Sequence, residues 1–266
     1  MTSAPCLFDQ VLLRQRLRRA LKTGPADFLL ERVAADLGER LEALLRRFDR
    51  VADLGTPGPH AAQQLAVSGR AQDIFRVAPL EEAIGQGPWT GLVGDPGLIP
   101  FAPESLDAVV SLLALQTVDD LPGTLAQIRR ALKPDGLFLA CLLGGQTLFE
   151  LRDVFARAES EIEGGISPRV APFADLRDLG GLLQRAGFAL PVADCETLAV
   201  RYGTPLALLN DLRAMGATNI LRERRKTPLK RATLMRALEL YQELYADPDG
   251  RVRASFECLW ISGWTP

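Results

Sequence analysis

Two spacings of apolar residues divide the chain. Over residues 9–22, Leu12, Leu13, Leu17 and Leu21 recur at helical intervals while Arg14, Arg16, Arg18 and Arg19 fill the gaps. The segment predicts an amphipathic helix with one greasy and one strongly basic face, capped by Asp9. Residues 26–48 predict a second such helix from Leu29, Leu30, Val33, Leu37, Leu41 and Leu44. From Val51 the spacing changes to short apolar runs separated by turn residues and helical stretches, the alternation expected of a parallel sheet covered by helices. Strands are expected at residues 50–54, 73–78, 90–94, 106–112 and 137–142, with helices at 59–68, 80–85 and 121–132. Lys133-Pro134-Asp135-Gly136 reads as a helix stop followed by a turn.

Beyond the fifth strand the pattern predicts a helix over residues 147–161, a loop over 164–169 and a helix over 176–186 closed by Gly187. A sixth strand over 193–202 follows, then two helices over 205–221 and 229–245. The last segment, 255–264, is rich in β-formers and is expected to return from this excursion to pair with the sixth strand. The chain thus divides into an N-terminal helical extension (1–49), an α/β core (50–204), a helical insertion (205–248) and a final strand of the core sheet (249–266).

Composition narrows the function classes. With 266 residues, 47% hydrophobic and 24% charged, the chain is globular, and a net charge of -2 argues against a general nucleic-acid-binding surface. No apolar run approaches the ~18 residues that a membrane span needs. Cys6, Cys141, Cys195 and Cys258 form no CxxC pair and read as reduced, mostly buried thiols in a cytoplasmic protein. The single histidine, His60, rules out a multi-histidine metal site and stands as a candidate base by position alone. Residues 1–22, arginine-rich and nearly free of acids, also have the look of a transit peptide.

The candidate chemistry centres on Val51-Ala52-Asp53-Leu54-Gly55-Thr56-Pro57-Gly58-Pro59-His60, a buried strand running into a tight turn and a helix. In an open α/β sheet, ligands sit at the carboxyl ends of the strands, and the first strand-to-helix turn is the usual place for a nucleotide-like cofactor. Such a turn offers glycines and backbone N–H groups to its ligand. Pro57 and Pro59 have no N–H, while Pro59 suits the first position of a helix with Gly58 as its cap.

Asp53-Leu54-Gly55, Gly94-Asp95, the segment from Pro100-Phe101 through Leu106-Asp107 to Val109, and Leu132-Lys133-Pro134-Asp135-Gly136 together resemble the class I S-adenosylmethionine-dependent methyltransferases, type 11. Gly144-Gly145-Gln146-Thr147-Leu148-Phe149-Glu150-Leu151-Arg152, Glu163-Gly164-Gly165, Ser167-Pro168-Arg169, Arg185-Ala186-Gly187-Phe188 and Gly263-Trp264 further resemble the methyltransferase-like assembly factors of respiratory complex I. A member of that family is associated with arginine hydroxylation on a complex I subunit. The carrier-protein O-methyltransferase of biotin synthesis is a more distant cousin.

The resemblance implies a Rossmann-like, seven-stranded, mostly parallel sheet with helices on both faces. It implies S-adenosylmethionine as cofactor, a protein partner such as a complex I subunit, and a first helix that belongs to the fold. Asp53, Gly55, Gly58, Asp95 and Gln116 fall on cofactor-binding positions, with Asp95 on the acid that reads the adenine amino group. The glycine-rich turn keeps only Gly55 in register, the ribose-binding acid falls on Ala78, with Glu81 or Glu82 as replacements from the following helix, and the Leu-His-Trp after the fourth strand becomes Leu115-Gln116-Thr117.

Arg152 and Arg169 are candidate substrate residues on a lid, or else partners of Glu150 or Asp153 in a capped connection. The basic run Arg222, Arg224, Arg225, Lys226, Lys230 and Arg231 reads as a solvated helix face or a grip for an acidic partner. Two function classes follow: an enzyme that methylates or hydroxylates a protein side chain, and a non-catalytic descendant that serves as an assembly scaffold.

Overall fold

A computed structural model describes residues 6–266. Two helices, α1 (Gln10–Thr23) and α2 (Phe28–Ala43), precede the sheet. The Asp9 carboxylate caps α1 by accepting from the Leu12 N–H at 3.0 Å. The strands are β1 (Phe48–Leu54), β2 (Ala71–Ala78), β3 (Thr90–Val93), β4 (Leu106–Leu112), β5 (Leu132–Leu143), β6 (Ala189–Tyr202) and β7 (Val252–Trp264). Between them run α3 (His60–Val67), α4 (Leu121–Ala131), α5 (Phe149–Glu163), α6 (Leu176–Arg185), α7 (Pro205–Ala214) and α8 (Arg231–Tyr245).

These strands form one seven-stranded sheet in the order β3-β2-β1-β4-β5-β7-β6. β1 to β5 pair in parallel, and β7 runs antiparallel between β5 and β6. The final strand therefore does pair with the sixth, as its β-forming composition predicts, and it also closes on β5.

Alternate strand residues serve opposite faces. Val51, Val110, Leu139 and Cys141 point to the face covered by α2, α3, α5 and α8, whereas Ala52, Val109, Phe138 and Ala140 pack with α4 and α6. Burial on both faces explains why the central strands read as continuous apolar runs.

Several boundaries differ from the sequence reading. The second helix stops at Ala43, because residues 48–50 are already paired with β2. Residues 132–136 lie in β5, with Asp135 in a left-handed conformation, so Lys133-Pro134-Asp135-Gly136 bends a strand and the helix ends before it. The 80–85 helix shrinks to a single 3-10 turn over Glu81–Ala83. α7 ends at Ala214, where Gly216 at φ +71° closes the last turn, and the basic run before α8 is loop.

That basic run is engaged with the domain. Arg222 donates to the Phe8 carbonyl at 3.1 Å and Arg224 pairs with Asp9 at 3.1 Å. Arg225 and Lys230 both pair with Glu163 at the end of α5. Of the cysteines, Cys141 and Cys258 are buried but Cys6 and Cys195 are exposed, so burial holds for half of them.

Candidate functional site

The carboxyl ends of β1, β4 and β5 meet α1, α2 and the segment after α7, enclosing a cavity of about 350 Å³. Gly55 leaves β1 at φ +76°, its N–H donating to the Val77 carbonyl at 2.8 Å. Pro59 is the N-cap of α3 and His60 its first residue, one position later than the sequence suggests.

Asp53 points beneath the turn. It is fully buried, pairs with the equally buried Arg76 and accepts from the Thr56 hydroxyl. Complete burial pushes the Asp53 carboxyl up from its ordinary range, and Arg76 and Thr56 pull against that rise. Arg76 also donates to the carbonyls of Thr56 and Ala83 at 2.9 and 2.8 Å, and its Nε to that of Ile84 at 2.9 Å. One guanidinium thus ties β2, the turn and the 3-10 segment together. Arg76 is the residue that sequence reasoning passed over. Its signal was an arginine inside an apolar strand, with Asp53 as its direct register partner on β1.

Asp95 accepts from the Gly97 N–H at 2.8 Å and faces Arg14 of α1 at 3.7 Å. Glu82 likewise faces Arg18 at 2.9 Å. Arg16 donates to the Asn219 carbonyl. The arginines of α1 therefore grip the domain, so that the helix is a latch whose basic face is largely engaged. Leu17 completes it, packed with Ala78, Leu80 and Ala83.

Residues that would hold S-adenosylmethionine do not fit it. A Cβ built on Gly55 would stand 2.7 Å from the Pro96 Cβ and 3.1 Å from that of Ala114, so side chains already cover the first glycine. Ala78, where the resemblance would put the ribose-binding acid, is buried beneath Leu17, and the carboxylates of Asp95 and Glu82 carry arginines. Pro57 and Pro59 offer no donors. The cavity reaches Pro57, Gly58, Pro59 and Gln116 but none of Gly55, Ala78 or Asp95.

Arg169 lines the cavity and is neutralised by the buried Glu159, which also takes both the N–H and the hydroxyl of Ser167. Its partner is thus Glu159, and neither Glu150 nor Asp153 is involved. Arg152 stays outside the cavity lining and donates to the carbonyls of Gly145 and Thr147 at 3.1 and 3.3 Å, shaping the loop before α5. Gln116 lines the cavity, its amide N–H donating to the Leu113 carbonyl at 2.7 Å.

His60 Nε2 lies 3.5 Å from Asp27. With Glu31 these are a group of ligand atoms within 4.8 Å of one another among the described residues. The two carboxylates sit at the N-terminus of α2, where the helix dipole alone favours them. The exposed Cys195 is no activated nucleophile, because partial burial and the nearby Glu257 both push its thiol up.

Comparison with known proteins follows the same outline. A family model described as a methyltransferase domain matches residues 60–140, beginning just after the altered turn. The chain is 34% identical to the mitochondrial arginine-hydroxylase NDUFAF5 of Danio rerio over 98% of this chain and 83% of that protein. It is 33% identical to a malonyl-[acyl-carrier protein] O-methyltransferase of Gallionella capsiferriformans over 98% of this chain and 92% of that protein. Among solved structures, a putative methyltransferase from Bacillus halodurans superposes with a TM-score of 0.59 at 17% identity, covering 87% of this chain and 98% of that one. The phosphoethanolamine N-methyltransferase 2 of Haemonchus contortus, solved with S-adenosyl-L-methionine, shares the fold at a TM-score of 0.51 and 18% identity, over 91% of this chain and 53% of that one. With that fold, and with relatedness running from the first helix to the last strand, the chain belongs to the class I methyltransferase-like family that includes the arginine-hydroxylase NDUFAF5.

Proposed function

We propose that the chain acts on a side chain of a protein partner, a subunit of respiratory complex I; the relatives it matches from end to end are named arginine-hydroxylases. The supporting observation is the end-to-end similarity to NDUFAF5, which includes the latch helix and the late insertion as well as the core sheet. In this reading the partner approaches the carboxyl ends of β1, β4 and β5. The free thiols suit a reducing compartment such as the cytoplasm.

A second reading, a non-catalytic assembly scaffold, is favoured by the crowded cofactor half, where Pro96, Leu17 and Arg14 occupy the space over Gly55, Ala78 and Asp95. Peptide mass spectrometry of complex I from strains with and without the chain separates the two. The first reading expects a side chain heavier by one oxygen atom or one methyl group, a shift that disappears on deletion. Side chains of unchanged mass in both strains, with assembly failing only in the deletion, would leave the scaffold.

A further inference from the structure

Arg169 and Asp27 bring opposite charges to the lining of the cleft, and only one of them is matched within the protein. The buried Glu159 takes up Arg169, whose Nε donates to it at 2.7 Å. Asp27 has no comparable partner. Among the described residues it pairs only with the imidazole of His60, whose Nε2 lies 3.5 Å away, and no arginine or lysine pairs with it or with Glu31. With that imidazole neutral, the wall of the cleft carries one negative charge in excess.

The place of Asp27 in its helix points the same way. It stands at the N-cap of α2, where an aspartate ordinarily accepts an N–H from the first turn. Asp9, Asp120 and Asp175 do this for α1, α4 and α6, accepting from Leu12, Gly123 and Arg177 at 3.0, 2.9 and 2.8 Å. The Asp27 carboxylate accepts no such bond and lies on the cleft lining beside His60. Glu31 follows one turn later, its carboxylate within 4.8 Å of the Asp27 and His60 ligand atoms. Like charges four residues apart on a helix repel each other. A cation set between them removes that repulsion, and a guanidinium suits the pair better than an ammonium because its planar fork offers donors to two carboxylates at once. Leu30, Leu151 and Phe155 on the lining provide apolar surface for the methylene stem of such a side chain.

We propose that Asp27, with Glu31 beside it, is the specificity-determining residue of the cleft and selects a guanidinium side chain of the partner by its charge. This rests on the reading that the cleft receives a partner's side chain, and it adds the residues that choose which one. Selection of this kind requires neither S-adenosylmethionine nor turnover.

Isothermal calorimetry on the full chain tests it with N-acetyl-arginine methylamide and N-acetyl-citrulline methylamide, two probes of the same shape that differ in charge. The arginine probe is expected to bind with a Kd of about 1 mM, the scale for a ligand of its size, and the citrulline probe about tenfold more weakly. Asp27→Asn is expected to weaken the arginine probe about tenfold while leaving the citrulline probe unchanged, and Glu31→Gln to weaken the arginine probe by about threefold. Circular dichroism checks that each variant folds, and the preference of the native chain carries the test where one does not. Equal affinity of the native chain for the two probes would overturn the assignment, as would unchanged discrimination in a folded Asp27→Asn chain. Lack of saturable binding of the arginine probe up to about 20 mM would do the same. The mass shift on complex I keeps this inference apart from the function it rests on. A shift that persists undiminished in an Asp27→Asn strain removes Asp27 and leaves the function, whereas no shift in any strain, with charge preference lost in Asp27→Asn, removes the function and leaves the selectivity.

Discussion

Arg76 decides what the first turn does. Its guanidinium has no solvent exposure and satisfies Asp53 and three backbone carbonyls. A buried pair of this kind adds little over an apolar replacement of both partners, yet removing one partner strands the other charge. Arg76→Ala is therefore expected to lower unfolding free energy by about 3–5 kcal/mol in urea titration, whereas Asp53→Leu with Arg76→Met stays closer to the native chain. A single mutant no worse than the double would contradict the role assigned to the pair. The same residue explains why Asp53, at a position to which the resemblance assigns cofactor binding, faces inward. Its carboxylate is committed to the turn.

At the scale of elements, α1 and the loop before α8 clamp the open end of the sheet. Leu17 is 8% exposed and covers Ala78, Leu80 and Ala83, so that Leu17→Ala is expected to cost about 2–5 kcal/mol, read as a shift in urea midpoint. A cost near zero would show that α1 does not hold the domain. The loop is tied down through Glu163, which the Thr233 hydroxyl, then Arg225 and Lys230, hold below its ordinary range against the opposing effect of burial. Because its folded value is depressed, the contribution is present above the ordinary glutamate range and is lost as the pH falls through the folded value. The melting-temperature gap between native chain and Glu163→Gln should be largest near neutral pH and close below about pH 4. A gap independent of pH would remove the ion pairs from the account.

Much of this architecture was legible in the chain, for a physical reason. Strands buried on both faces leave continuous apolar runs, and amphipathic helices leave stripes. β6 was read short because its first residues include Pro191, a poor strand signal, where the pairing with β7 also shifts register between Ala189 and Val192. The basic run before α8 was read as helix because charge spacing alone does not reveal that its partners, Asp9 and Glu163, lie far away in sequence. The strand-to-turn geometry of Asp53-Leu54-Gly55 was legible. The state of the turn was not, because Arg76, Pro96 and Arg14 reach the turn only through the register of β1 with β2 and the docking of α1.

As a whole, the molecule keeps the methyltransferase sheet and the location of its cleft while changing what the cleft can hold. A hydrogen bond to a charged group is worth roughly 1.5–3 kcal/mol and a neutral one about 1. Without the ribose acid and the turn amides, cofactor affinity falls by about three powers of ten, before the cost of displacing Pro96 and Leu17 is counted. Calorimetric titration of the native chain with S-adenosylmethionine and S-adenosylhomocysteine tests this most directly. The closed adenosine half predicts no saturable heat below the millimolar range, and low-micromolar binding of either compound would contradict it.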